Sequence, residues 1–368
     1  MTVPSNSADV AIVGGGIIGL ATAERLTARG ASVIMVDEAG ATGGATSASG
    51  GLVRAFDPDG THAAWTALSC ARYRARGWRG TWPALREHGS LTLIDHRELP
   101  RAKAALTAFK TAGAPLTAAP AADHQLDILT ADEIIRRFPG LDVPNHLLGV
   151  LEPHAGWLPA KDVAKALRHD AGAALRLHTT RATALIRSSS RIRGVRTELG
   201  PVHADAVLLA AGVGSTALAA SVGVHLPLRT RAISYCLFQC EKPEGLPTIV
   251  DRTTGAWLRQ WGSDDTVLAG VSSSRTDVPA AVRPGVPAAE ERRIRTVIRH
   301  RYPQLAHARS VGGVTAYDAL TTDGPGAVTA WPHPRGLVTA VGWNGGGFKI
   351  APAVGDHTAA KLLEVLNH

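Results

Sequence analysis

Apolar residues along the chain follow two rhythms. From Val10 to Val13 and again from Val33 to Val36 they run unbroken. Short uninterrupted apolar runs bounded by glycine or polar residues mark strands covered on both faces. Between them Ile18, Ala21 and Leu26 recur at helical spacing, and Arg29-Gly30 supplies a glycine C-cap. The pattern predicts a βαβ unit over Val10 to Glu38. Further on, residues 62–89 (Trp65, Leu68, Trp78, Trp82, Leu85) read as helical, 91–96 as a strand and 98–113 as a helix. Residues 129–141 predict a helix with Thr130 as N-cap, Glu133 in capping-box position and Pro139-Gly140 as its stop. A strand, a turn at 153–156 and a helix from Pro159 follow. From Ala174 come short strands, LRLHT, ATALIRS and IRGVRTE, then the apolar DAVLLAAG running into a helix. Residues 233–240, 254–261 and 266–274 read as antiparallel strands of another sheet, and 287–302 as a helix. The last elements are the strand LVTAV, the turn GWNGGGFK and a helix starting at Pro352.

The first unit carries chemistry. Gly14, Gly16 and Gly19 form a G-x-G-x-x-G turn: one glycine for the bend, one for close approach to pyrophosphate, one for helix–strand packing. Ile17 and Ile18 open the helix behind it. Asp37, with Glu38 beside it, ends the second strand about 20 residues on, where a carboxylate meets a ribose hydroxyl. Strand, turn, helix, strand and acid arrive in order, so an adenosine-diphosphate moiety is expected, with NAD and FAD both still open.

At 368 residues with 45% hydrophobic content, the chain has room for about two domains. A net charge of +8 suits nucleic acid, small carboxylates or plain solubility. The basic residues are dispersed, which favours the last. Cys70, Cys236 and Cys240 are too few and too scattered for a disulfide framework, and no His pair completes a zinc site, so no metal is expected. The N-terminus lacks a basic n-region and no stretch of about 20 strongly apolar residues occurs, which predicts a cytoplasmic protein.

Residues 40–60 are rich in small side chains that let backbone lie against a flat ligand. Thr46, Ser47, Gly50, Gly51 and Leu52 are the candidate contacts. Arg54 follows, either solvated or gripping an anionic substrate. His154, in a Pro/Gly turn, is an exposed residue before it is a catalytic one. Ala211-Gly212 repeats the end of the first motif without its full glycine set, and the 342–349 turn feeds a helix N-terminus, an anion-facing geometry. Nucleotide-facing elements at the beginning, middle and end imply interleaved domains.

Taken together, the G-x-G-x-x-G with Asp37, the loop 43–52, the AAG at 210–212 and GWNGGGFKIAP at 342–352 resemble the D-amino-acid oxidase superfamily of flavoproteins. The nearest branch is that of glycine oxidase and monomeric sarcosine oxidase. The resemblance implies a mixed α/β fold, in which a Rossmann-like FAD domain of the glutathione-reductase type (1–88, 150–226, 318–368) is interleaved with an antiparallel-sheet substrate domain (89–149, 227–317). It implies FAD, with Asp37 at the adenosine ribose, Ala182 meeting adenine through its backbone, and Gly345, Gly346, Gly347, Phe348 and Lys349 along the flavin's pyrimidine edge. Arg54 and Lys349 match the family's carboxylate clamp, while Trp257, Arg259 and Tyr317 are either pocket residues or strand packing.

Departures matter too. Ala316 stands where sarcosine oxidases carry the cysteine that binds flavin, so the cofactor should be non-covalent. No lysine lies between Lys242 and Lys349 to match the one that promotes oxygen reduction. No histidine occurs near Ser272. The implied function is oxidation of the CH–NH bond of an amino acid or N-substituted glycine, with oxygen or another acceptor. A flavin-dependent tRNA-modifying enzyme or an amine dehydrogenase is the alternative, and oligomeric state is open.

Overall fold

A computed structural model describes residues 6–40, 43–57, 62–76, 80–113, 126–241, 245–262, 265–280 and 285–368, the side chains of 108–113 excepted. The chain begins β1 (Ser7–Val13), α1 (Ile17–Thr27), β2 (Val33–Asp37), α2 (Gly44–Ser47), β3 (Leu52–Val53) and α3 (Ala63–Arg76). It continues with β4 (Arg86–Glu87), β5 (Ser90–Asp95), α4 (Leu99–Gly113), β6 (Asp127–Thr130), α5 (Ala131–Arg137), β7 (Leu147–Glu152) and β8 (Gly156–Trp157). Then come α6 (Ala160–Ala171), β9 (Leu175–Thr179), β10 (Ala182–Ser188), β11 (Arg191–Thr197), β12 (Gly200–Leu209) and α7 (Ser215–Ala220). The last third holds β13 (Leu228–Gln239), β14 (Thr248–Asp251), β15 (Ala256–Gln260), β16 (Thr266–Val271), α8 (Ala288–Ile298), β17 (Arg309–Thr321), β18 (Ala327–Ala330), β19 (Leu337–Val341) and α9 (Gly347–Leu366).

The first sheet centres on parallel strands. β19, β12, β1, β2 and β9 lie side by side; the β10–β11 hairpin pairs with the start of β12 on the side that β19 takes at its end, β18 follows β19, and β9 is the opposite edge. Alternation explains their unbroken apolar sequences. Val10, Ile12, Val33, Met35, Ala206 and Leu208 face a core shared with α1, α3, α6 and α9, while Ala11, Val13, Ile34, Val36, Val207 and Leu209 face the hairpin side and α7. The carboxyl ends of β1, β12 and β19 are thereby neighbours, although they lie far apart in sequence. α1 and α9 touch so closely that a Cβ on Gly355 would stand 2.6 Å from the Ala21 carbonyl carbon.

The second sheet runs β17-β13-β16-β15-β14-β5-β7-β6, antiparallel apart from the β14–β5 pair. One of its faces is apolar: Cys236, Phe238, Ala256, Leu258, Ile249 and Leu91 pack under α5 and α8. The register sends their neighbours to the other face, and it is there that the polar side chains gather. A small sheet, β3-β8-β4, lies between. β17 runs unbroken through the expected domain boundary at 317–318.

Several expected elements shift. Among the described residues of 62–89 only those of α3 are helical, and Trp78 lies outside the described residues. The α5 capping box forms as expected: the Thr130 hydroxyl accepts from Glu133 N–H and the Glu133 carboxylate from Thr130 N–H. After Gly212 there is a single 3-10 turn and then the short α7. α9 begins at Gly347, five residues before Pro352, which lies inside it. The proline is tolerated because the carbonyl it leaves without a helical donor, that of Phe348, accepts from the Tyr73 hydroxyl at 2.8 Å. Among the described residues no helix is long and apolar enough to cross a membrane, and no group of three or more metal-ligating side chains occurs.

Candidate functional site

The glycine turn is built by close approach. A Cβ on Gly14 would lie 2.4 Å from the Ala210 carbonyl oxygen and 2.8 Å from Ala211 N, so only glycine lets the end of β12 meet the end of β1. A Cβ on Gly19 would meet the Gly14 oxygen at 2.0 Å, and one on Gly16 the Thr46 hydroxyl at 3.3 Å. That hydroxyl accepts from Ile17 N–H at 2.9 Å, tying the small-residue loop to the start of α1. The remaining first-turn amides, beginning with Ile18, have no intrahelical acceptor and face the mouth of the turn. Asp37 accepts from Gly15 N–H at 2.7 Å and from Ala39 N–H at 2.9 Å. Burial pushes its carboxyl above the usual range, against those bonds. Ala182 begins β10 two residues beyond Thr180, whose amide is bonded to the Asp37 carbonyl. Glu38 turns outward to an ion pair with Arg181 at 2.7 Å. Gly212, with φ +54, continues the turn at the end of β12. The turn fits a dinucleotide's pyrophosphate in that Gly14, Gly16 and Gly19 leave its backbone without side chains.

At the far end, Asn344 (φ +52) and Gly345 (φ +85) make a left-handed turn into α9. The Gly346 amide is spent on the Trp343 carbonyl at 2.8 Å, so Gly347, Phe348 and Lys349 supply the outward-facing amides. Lys349 Nζ pairs with Asp57 at 2.6 Å. Burial, then the Arg54 charge, lowers its ammonium from the usual lysine value. Arg54 donates to the Phe56 carbonyl at 2.6 Å. Glu152, buried beside both cations, accepts from Ala55 and Phe56 amides at 2.6 and 3.1 Å, and burial raises its carboxyl. The two expected clamp cations thus share their neighbourhood with Asp57 and Glu152.

In the loop before them, Ser47 donates to the Gly44 carbonyl and Ser49 accepts from Gly51 N–H. Gly51, φ +67, lies against Leu158, where a Cβ would stand 1.9 Å from the carbonyl oxygen. Leu52 pairs with Trp157 across β3–β8. Trp157 leads to the second sheet, where Arg259 packs on two rings, its guanidinium carbon 3.9 Å from the Trp157 centroid and 4.7 Å from that of Trp261. Trp257 and Tyr235 pack edge to face beside it, 6.1 Å between centroids. Arg259 is 2% exposed, and burial pushes its pKa down to about 9.

Trp257 and Arg259 share the sheet face opposite the apolar core, because Ala256 and Leu258 occupy the core. The same face carries Ser90, Thr92, Thr248 and Arg231 by register. Each of these has a buried polar atom without a hydrogen-bond partner among the described residues, as do Arg259 Nε and Trp157 Nε1. A sheet face with so many unmet polar atoms is made for a polar ligand. Tyr317 is not part of it: it pairs with Ala232 on the core side of the ladder, while its neighbour Asp318 faces Arg231 at 3.0 Å, beside Gly345. His154 stays at the surface, 3.5 Å from Glu87.

Asp57, Glu152, Trp157, Tyr235, Trp261 and Asp318 were not anticipated. Period-two alternation from Trp257 through Arg259 reaches Trp261; nothing local marks the others.

A family model described as "FAD dependent oxidoreductase" (DAO) matches residues 9–361. Monomeric sarcosine oxidase of Bacillus sp. strain B-0618 is 24% identical over 95% of this chain and 90% of its own length. A D-amino-acid oxidase of Bradyrhizobium diazoefficiens is 36% identical, but over 32% of this chain and 28% of that relative. The solved structure of glycine oxidase from Geobacillus kaustophilus superposes with a TM-score of 0.80 at 25% identity, covering 97% of this chain and 95% of the other.

Proposed function

The chain belongs to the DAO family of FAD-dependent oxidoreductases, and on that premise we propose that it oxidises the CH–NH bond of an amino acid or N-substituted glycine-like amine. FAD, held by the glycine turn and the first turn of α9, would supply the two-electron acceptor for that oxidation. One observation carries the reading. The glycine turn and the first turn of α9 present backbone amides, and across from them stands a sheet face of aromatic rings and unmet polar atoms. The names of the relatives, oxidases of glycine, sarcosine and D-amino acids, agree with it.

The chain's own residues have defined work. The α9 amides and Lys349 set a positive potential where the flavin's pyrimidine edge would gather charge. Arg54, Lys349 and Arg259 disfavour a protonated amine nearby, leaving the lone pair that hydride loss requires. Trp157, Trp257 and Trp261 exclude water from the substrate side. Attachment is non-covalent in this reading: Ala316 offers no thiol, and Cys70 and Cys236 are buried in the cores.

Acid precipitation of purified protein tests the cofactor, since a yellow supernatant is expected and a coloured pellet would refute non-covalent binding. An amino-acid and N-methylglycine panel under anaerobic conditions tests the reaction. At least one member should bleach the flavin; a spectrum unchanged by all of them would sink the assignment. Readmitting air then separates an oxidase, which recolours rapidly, from a dehydrogenase that needs another acceptor.

A further inference from the structure

Two ion pairs meet the turn into α9 at successive glycines. A Cβ on Gly346 would stand 3.5 Å from Lys349 Cε, and Lys349 has Asp57 at 2.6 Å. A Cβ on Gly345 would stand 3.2 Å from Asp318 Oδ2 and 3.6 Å from Arg231 Nη2, which are themselves 3.0 Å apart. The second pair comes from the substrate sheet, where Arg231 on β13 lies directly opposite Asp318 on β17. Both side chains are largely buried, 16% and 14% exposed. Stability alone does not account for them. Two charges taken out of water repay that cost only when their hydrogen bonding is complete. Here one hydrogen bond joins them, and Arg231 Nε is buried without a partner among the described residues.

What the pair has is its place. The Gly347 amide, first of the outward-facing set, is two residues from Gly345, so either charge lies on the order of 10 Å from it. At that range, with an effective dielectric of about 20, an unbalanced charge changes a charge-forming equilibrium about tenfold. Burial keeps salt from screening it. We propose that Arg231 and Asp318 set the flavin's reduction potential through the turn at Gly345: Arg231 adds to the positive potential of the α9 amides, and Asp318 holds that addition down. The proposal rests on the amine-oxidising reading above, in which this turn faces the flavin, and says how readily the cofactor takes up the substrate's two electrons. Neither residue touches the reacting atoms; both are positioning residues that act through the field at the turn. The balance bears on turnover, because a higher potential favours taking electrons from the amine and disfavours passing them to the next acceptor.

The test measures the midpoint potential of FAD-loaded protein at pH 8, by anaerobic dithionite titration against a reference dye, so that no amine is needed. Asp318→Asn keeps the shape and the hydrogen bond to Arg231 and removes only the negative charge. It should raise the potential by about 30 mV, tenfold in the equilibrium of a two-electron couple. Arg231→Gln should lower it by a similar amount, and Arg231→Lys, which keeps the charge, should stay within about 14 mV of wild type, or threefold. The double variant Asp318→Asn/Arg231→Gln should return to within that same threefold. A purely structural pair would behave otherwise: both single variants would loosen the turn and shift the potential the same way, and the double would not recover. Where Arg231→Gln does not fold, the drop from Asp318→Asn to the double variant reads the arginine's contribution instead. Asp318→Asn within threefold of wild type, both single variants shifting in one direction, or a double variant that fails to return each overturns the proposal. If no amine bleaches the flavin while the potentials move as expected, the reaction assignment falls and the pair's role stands. If amines bleach it and the potentials do not move, the reverse holds.

Discussion

Tyr73→Phe isolates a single hydrogen bond at the turn that faces the cofactor. Pro352 has no N–H, so the Phe348 carbonyl four residues earlier has no helical donor. The Tyr73 hydroxyl takes that place at 2.8 Å, and its ring stacks on Phe348 with 5.3 Å between centroids and planes 11° apart. Phenylalanine keeps the stack and removes only the hydroxyl. Tyr73 is 0% exposed, so the carbonyl would be left unmet, at a cost of about 1–3 kcal/mol. The assay is a double-mutant cycle read from urea midpoints at unchanged slope. In a Pro352→Ala background the residue at 352 regains an N–H for the same carbonyl. Tyr73→Phe should then cost less than about half its value in the wild-type background. An equal cost in both backgrounds would refute the account of how this helix accepts its proline.

The remaining predictions concern other parts of the molecule. Asp37 titrates above the usual aspartate range because of burial. If FAD needs its carboxylate, affinity falls as pH drops through that raised value, starting above the ordinary 3.8, whereas apoprotein stability moves the other way. The folded chain binds the proton more readily than the unfolded one, so ionisation costs stability above the window and protonation restores it below. FAD fluorescence and melting temperature against pH should show these opposed trends in wild type, and Asp37→Asn should flatten both. Burial pushes Cys70 and Cys236 up to about 12, so native protein treated with iodoacetamide at pH 8 should show neither alkylated by peptide mass spectrometry. Alkylation of either one before unfolding contradicts the burial argument. Gly355→Val places methyl groups into the Ala21 backbone and should cost about 1–3 kcal/mol or more by thermal melting, and a melting temperature equal to wild type would mean that the two helices have slack.

What could be seen in the sequence was what short range determines. The glycine turn, the Thr130–Glu133 capping box and the unbroken apolar runs of β1, β2 and β12 all depend on neighbours within a few residues, and the spacing alone names them. Errors arose where a distant partner decides. Pro352 reads as a helix start because prolines favour first turns, and it is a hydroxyl from Tyr73, 275 residues from its acceptor Phe348, that lets the helix start earlier. Tyr317 and Arg259 could not be assigned to a sheet face from sequence, because a strand's sequence does not say which face its register turns inward. Only the pairing of β13 with β17 and of β15 with β16 separates them.

Charge compensation is the least legible property of all. Arg54, Lys349 and Arg259 look alike in sequence, each a cation near a motif. Their difference lies in Asp57, Glu152 and Trp157, which reach them through tertiary contacts spanning 292 positions in the case of Asp57 and Lys349. A cation that already has its carboxylate is held by that partner, whereas Arg259 packs on two aromatic rings without a counter-ion among the described residues. The partner each cation has, and not the motif it follows, is what distinguishes the three.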